Sequence, residues 1–316
     1  MKYYVLELFS GNGTVSYIAS QILECGYESI DIDEDMHPTI CKDILKWSEK
    51  DTADLKAKYP NCRPVIFASP PCEEYSPMKT TGVRDLLRAD ACVRKVHEIS
   101  AALDALMLFV ENPERGMLKN RVEVREYLPA FKYHVCYCQY GTLYRKSTLI
   151  WVSDELKGFE PKVCDLLTCP ACFVDSQPIR RHILTYEDLD LERRISIPDH
   201  LIAALFKAAK PIIIEKASKI ERMQREKDEF KIDYIVTGDV MVDYEDEVDF
   251  WLEVKWKGHD DTSFIPIGNL EDPLETYPFK SPGIQTKVLK AYKAFKKTDA
   301  QAEQPVPKLK KQRQKK

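Results

Sequence analysis

An apolar run, Pro64-Val65-Ile66-Phe67-Ala68, stops dead at Ser69-Pro70-Pro71-Cys72. The run reads as a buried strand, and two consecutive prolines cannot continue a sheet ladder. A cysteine is therefore set on a rigid turn at a strand end, followed at once by Glu73, Glu74, Tyr75 and Ser76. That is a good place for a nucleophilic thiol. A buried, inert cysteine is the commoner alternative for such a residue taken alone. The flanking segments decide between them.

Upstream, residues 3–9 read as a first strand running into Ser10-Gly11-Asn12-Gly13-Thr14. An apolar helical pattern follows through Val15, Ile18, Ala19 and Ile22. A strand, a glycine turn and a helix suit a nucleotide-like cofactor, because glycine lets the backbone approach the ligand and the helix start offers free N–H groups. A second strand ends at Asp31, where a Rossmann-like site holds ribose hydroxyls. Asp43 is a further acid for the cofactor's base, with helix capping as its alternative role.

Downstream, residues 84–103 have an amphipathic helical pattern, and 105–110 an apolar strand ending in Glu111-Asn112-Pro113. Two more strand patterns follow, at 134–139 and 148–152. Alternating strands and helices predict an α/β domain with a mostly parallel sheet. Gly11, Gly13, Asp31, Cys72 and Glu111 then fall on one edge of it. Ten cysteines in a chain without a signal-peptide pattern argue for reduced thiols, a metal or catalysis rather than a disulfide framework. No apolar run approaches membrane-spanning length, so no membrane partner is expected.

FSGNGT, the acid at Asp31, PPCEEYS, ENP and YGTLYRKST occur here in the order that marks the cytosine-5 DNA methyltransferases. The chain resembles that family over residues 3–210, and its ENP and YRKST elements resemble a compact branch. The resemblance implies a Rossmann-like S-adenosylmethionine-dependent methyltransferase acting on duplex DNA. Phe9, Gly11, Gly13, Ile44 and Pro71 would line the cofactor pocket, with Asp31 on the ribose, Ile32 on the adenine face and Asp43 on its edge. Cys72 would attack C6 of a cytosine turned out of the duplex, and Glu111 would contact its N3 edge. The position of the family's first arginine falls on Lys146, with Arg145 one residue earlier and Thr148 at the second. The base-contacting cation is Arg145 or Lys146. A transfer-RNA-modifying branch is the alternative, although its C-F-T element is missing; a chromatin-binding protein with weak catalysis is the other.

The target-recognition segment spans only about 153–195. It contains Cys164, Cys169, Cys172 and His182, spaced C-x4-C-x2-C-x9-H. A segment that small has little core of its own, so a structural zinc would explain these four; a loop with buried thiols and a DNA-facing histidine is the alternative. Residues 1–215 form the predicted methyltransferase domain and 216–228 a charged linker. Residues 229–280, with EVKWKG at 253–258, resemble a chromodomain, a small β-barrel with a helix. Phe230 and Trp256 match two positions of its methyl-lysine cage, which implies a methylated histone tail as partner. Residues 281–316 read as a basic disordered tail, with six basic residues and no acid in the last nine. Taken together these features imply a nuclear, chromatin-targeted enzyme.

Overall fold

The computed structural model describes residues 2–174, 180–185, 189, 196–229, 232–242, 248–256, 261–270 and 272–302. The chain divides into two compact units, Met1–Lys219 and Ile220–Lys316.

The first unit is built on a seven-stranded sheet. Its strands are β1 (Tyr3–Leu8), β2 (Tyr27–Asp31), β3 (Ile40–Cys41), β4 (Arg63–Ala68), β5 (Met107–Pro113), β6 (Phe131–Cys136) and β7 (Ser147–Val152). The order across the sheet is β3-β2-β1-β4-β5-β7-β6. The first five strands run parallel, and β7 is antiparallel to both β5 and β6. The strands are nearly continuous apolar runs because both faces are covered. Alternate residues divide between the faces. Leu6, Leu8, Ile66, Ala68, Leu108 and Val110 share a core with Leu55 of helix α2 (Glu49–Lys58) and with Val93, Val96 and Ile99 of α3 (Leu86–Ala102). On the other face Phe67 and Phe109 meet Phe206 of α4 (Asp199–Glu229), with ring centroids 6.4 and 5.1 Å away. Helix α1 (Thr14–Leu23) connects β1 to β2.

The chain's direction across the sheet reverses between β1 and β4. Crevices at the carboxyl ends of strands open at such a switch point. The glycine turn after β1 and the Pro-Pro-Cys turn after β4 lie side by side there: Ser69 N–H bonds the Leu8 carbonyl at 3.1 Å, and Ser10 N–H bonds that of Ile30 at 3.0 Å.

Two expectations about this unit change. The strand expected at 134–139 is β6 and ends at Cys136; Tyr137–Tyr140 form a 3-10 turn closed by Gly141 at φ 98°. The charged linker expected at 216–228 is instead the last turns of α4, which runs through Pro211 to Glu229 with Ile213 and Ala217 buried.

The second unit has an antiparallel sheet of β10 (Ile232–Val242), β11 (Val248–Trp256) and β12 (Thr262–Pro266). Here the tail reading is corrected. Pro282–Ala302 is a helix, α5, whose Ile284, Val288, Ala291, Tyr292 and Phe295 pack with Ile235, Phe250, Leu252 and Val254. Those positions recur every three or four residues, and the intervening lysines hide the pattern from a composition argument. Glycine at 238 leaves room for its neighbours, since a Cβ there would sit 2.8 Å from Leu252 of β11 and 3.1 Å from Val288 of α5. Phe230 and the acidic residues 243–247 lie outside the described residues, as does 303–316. Trp256 is half-buried against this core, and its indole N–H bonds Ser263 Oγ. No helix among the described residues is long and apolar enough to cross a membrane.

Candidate active site

The crevice at the switch point is a cavity of about 580 Å³, within the usual range for small-molecule sites. Phe9, Gly11, Asp31, Pro71, Cys72 and Glu111 all line it, together with Arg145 and Lys146. Residues spread over 138 positions of sequence thus share one wall system. Gly13, Ile32, Asp43 and Ile44 are not part of that lining. Gly13 adopts φ 71° as it opens α1, a conformation glycine takes without strain. Ile32 is 61% exposed, whereas Ile44 is buried in the sheet's core. Asp43 accepts Leu45 N–H at 3.0 Å and so caps a 3-10 turn.

At the glycine-turn end of the cavity, Asp31 accepts Gly11 N–H at 2.8 Å through one carboxylate oxygen and Asp33 N–H at 3.0 Å through the other. The strand-end acid and the glycine turn therefore hold each other in place. Asn12 Nδ2 donates to Ser196 Oγ at 3.2 Å, and Ser196 and Ile197 line the cavity. Ile195 lies outside the described residues.

Glu7 was not expected at the site. It is buried beneath the cavity and accepts Ser16 N–H at 2.7 Å, so it caps α1 from below. A charged residue inside an apolar strand was the legible signal. Burial pushes its carboxyl up to about 7, with the Ser16 and Val15 N–H groups opposing. In the unfolded chain it titrates near 4.5, so the fold binds this proton more tightly than the unfolded chain. The resulting stability is complete below about pH 4.5 and is lost as pH rises through about 7. The Glu7→Gln variant cannot titrate. Its melting temperature relative to wild type, both cofactor-free, should climb between pH 5 and 8. A constant difference across that window would mean that Glu7 stays in one protonation state.

The end holding Cys72 and Glu111 has two pinned parts. Asn112 is fully buried and its amide donates to the Pro70 carbonyl at 3.1 Å, tying the ENP turn to the Pro-Pro-Cys turn. Tyr75 extends the anchoring: its hydroxyl donates to buried Asp90 at 2.9 Å, and Arg121 pairs with the same carboxylate. Glu111 is buried and accepts the Tyr137 hydroxyl at 3.0 Å. Lys146 Nζ lies 3.7 Å from the same Glu111 oxygen and 4.8 Å from the centre of the Tyr137 ring. Tyr137 sits directly after β6, and no sequence signal pointed to it. Thr148 is buried in β7 and does not line the cavity.

The Cys72 thiol is pushed up by burial and then by Glu111, while Lys146 pulls it down. It therefore rests protonated at neutral pH. The group can deliver a thiolate once the proton leaves, with a carboxyl and a cation fixed across from it.

The cysteine cluster differs from the expected set. Cys138, Cys164, Cys169 and His182 bring their ligand atoms within 4.8 Å of one another. Cys138, from the turn after β6, takes the place expected for Cys172. Cys172 opens the first strand of a hairpin, β8 (Cys172–Val174) with β9 (Arg180–His182), and packs beside the cluster. The substitution follows from folding: the 3-10 turn at Tyr137–Tyr140 swings a residue from outside the recognition segment into it.

Fold and site together define an α/β protein with a glycine turn and a strand-end acid at the switch point of its sheet, facing a thiol and a carboxyl. The chain is 29% identical over 174 residues, 51% of its length and 74% of the relative's, to a protein of Frog virus 3 (isolate Goorha) named probable DNA (cytosine-5)-methyltransferase. That is homology to a cytosine-5 DNA methyltransferase over half of the chain. A solved E. coli structure, named a putative DNA modification methyltransferase encoded within a prophage, aligns with TM-score 0.39 and 15% identity, covering 52% of each chain. The chain spans about half the length of that protein. No protein-family model matches the chain.

Proposed function

We propose that the first unit transfers a methyl group to C5 of cytosine in DNA through a covalent Cys72 adduct. The observation that carries this reading is the meeting of Cys72 and Glu111 in the cavity that also holds the Gly11–Asp31 pair. The donor that fits is S-adenosylmethionine. A 580 Å³ space with apolar walls from Phe9, Val15 and Pro71 and a fixed carboxylate at Asp31 suits a nucleoside with polar hydroxyls. When bound, that cofactor supplies an electrophilic methyl group.

The chain's own residues do the rest. The Pro-Pro turn, pinned by Asn112, holds the Cys72 sulfur against C6 of an extruded cytosine. Addition of the thiolate to C6 places electron density on the ring and makes C5 nucleophilic. Glu111, oriented by Tyr137 and flanked by Lys146, gives its carboxyl proton to N3 as negative charge develops on the ring, and takes it back when the ring is restored. After transfer, the C5 proton passes to a water molecule, the C5–C6 double bond re-forms and the C6–S bond breaks, so that Cys72 leaves as thiolate. Lys146 rather than Arg145 is the base-side cation, because it is the one paired with Glu111.

The second unit belongs to the proposal as a chromatin reader, with Trp256 and Phe230 receiving a methylated lysine of a histone tail in the nucleus. Its three-stranded sheet with a packed helix supports that reading.

The direct test is incubation with labelled S-adenosylmethionine and duplex DNA, hemimethylated DNA or transfer RNA in parallel. Label should enter DNA; transfer to RNA alone would overturn the DNA reading. A second expectation concerns the division of labour. All the cavity-lining residues precede Lys219, so a chain ending after Lys219 should methylate naked DNA at near the full-length rate. The cut belongs there rather than nearer the cavity, because Lys216 bonds the Leu106 carbonyl at 2.9 Å and pairs with Asp154 at 2.6 Å. On nucleosomes bearing the cognate mark the shortened chain, like Trp256→Ala, should fall behind. Equal losses on both substrates would remove the reader role.

A further inference from the structure

We propose that Cys138, Cys164, Cys169 and His182 bind one zinc ion, and that the ion pins the recognition segment to the turn that orients Glu111. The inference concerns a metal site and rests on the proposed function only for its effect on DNA.

The donors fit the metal. Three thiols and an imidazole make a closed tetrahedral set of the kind structural zinc takes. With Zn–S near 2.3 Å and Zn–N near 2.0–2.1 Å, a tetrahedron places sulfur and nitrogen about 3.6 Å apart. Cys164 Sγ and Cys169 Sγ lie 3.4 and 3.6 Å from His182 Nε2. Binding would release the thiol protons to solvent and leave a centre with one net negative charge. Arg145 is within electrostatic reach of Cys164 and His182, which matches that charge.

The local structure needs such a ligand. Each strand of the hairpin is three residues long, too short to stand alone. The cluster's apolar packing consists of little beyond other cysteines and Ala171. Three separate chain segments meet at the four donors. Cys138 follows Tyr137, which donates to Glu111. Cys136 N–H bonds the Lys162 carbonyl at 2.9 Å, two residues before Cys164. Just past His182, Ile183 N–H bonds the Ala171 carbonyl at 2.9 Å and Leu184 N–H bonds that of Leu143 at 3.0 Å, on the loop leading to Arg145 and Lys146. A metal here would therefore couple the DNA-reading hairpin to the carboxyl and the cation of the active site.

The experiment uses the full-length protein and its Cys72→Ser variant, both expressed in zinc-supplemented medium. Elemental analysis should find one zinc per chain in both, which separates this result from the fate of the Cys72 mechanism. Cobalt(II) exchange should give the visible bands of tetrahedral thiolate coordination. Cys138→Ser and His182→Ala should each lose most of the metal, whereas Cys172→Ser should keep it. Chelation should lower DNA affinity at least tenfold while S-adenosylmethionine affinity stays unchanged. Metal-free wild-type protein that takes up neither zinc nor cobalt overturns the site, and so does a disulfide among the four. Loss of zinc in Cys172→Ser with retention in Cys138→Ser overturns the ligand set. Unchanged DNA affinity after complete zinc removal overturns the pinning role.

Discussion

Cys72→Ser should lower methyl transfer to DNA by at least about 10³-fold, the loss expected when a covalent nucleophile is removed. S-adenosylmethionine binding should stay near the wild-type level. The cofactor end of the cavity rests on Phe9, Gly11 and Asp31, and the turn carrying Cys72 is held by Asn112 through a backbone carbonyl that serine leaves untouched. Duplex DNA containing 5-fluorocytosine should trap the wild-type protein covalently, because fluorine cannot leave C5 as a proton does. Peptide mapping should place the adduct on Cys72. The thiol's environment adds a kinetic signature. Burial and Glu111 raise it above its ordinary value of 9.0 and Lys146 lowers it. Alkylation of Cys72 should accelerate with pH to a midpoint above that value, and Lys146→Ala should move the midpoint higher. An adduct on any other cysteine would end the assignment.

Glu111→Gln is expected to be the second most damaging change, with kcat down about 10²–10³-fold, the range for removing one preorganised group that meets developing charge. The mechanism is specific to this site. Glutamine keeps the shape but loses the pairing of the carboxyl with Lys146 at 3.7 Å, in a pocket where the lysine side chain is only 12% exposed. Tyr137→Phe removes the hydroxyl that donates to the carboxylate at 3.0 Å. A single hydrogen bond contributes about 0.5–1.5 kcal/mol net, so this variant should lose about tenfold at most. The loss should appear in kcat, with little change in cofactor KM, because Tyr137 acts through Glu111. Full activity in Glu111→Gln, measured at saturating cofactor and DNA, would remove the carboxyl from the chemistry.

Cys72 was legible in the sequence because everything that exposes it is local. An apolar run makes the strand, Pro70 and Pro71 end it, and the next residue is presented at the sheet's edge. Gly11 and Asp31 were legible for the same reason, each fixed by the strand immediately before it. The acid of the ENP turn could be placed at a strand end, although the sequence did not say that Asn112 would reach back across to the Pro70 carbonyl. Contacts of that kind join residues 42 apart and depend on which strands become neighbours, which periodicity does not encode. Helix α5 shows a different limit. Its apolar stripe at Ile284, Val288, Ala291, Tyr292 and Phe295 was present in the sequence, but it gains meaning only against a sheet face that needs covering. The residues that only tertiary structure could assign share one property, since their partners come from elsewhere in the chain. Tyr137 meets Glu111 because β6 and β5 flank β7. Glu7 caps a helix whose first turn starts seven residues later. Cys138 displaces Cys172 because a turn after β6 folds under a hairpin more than thirty residues downstream.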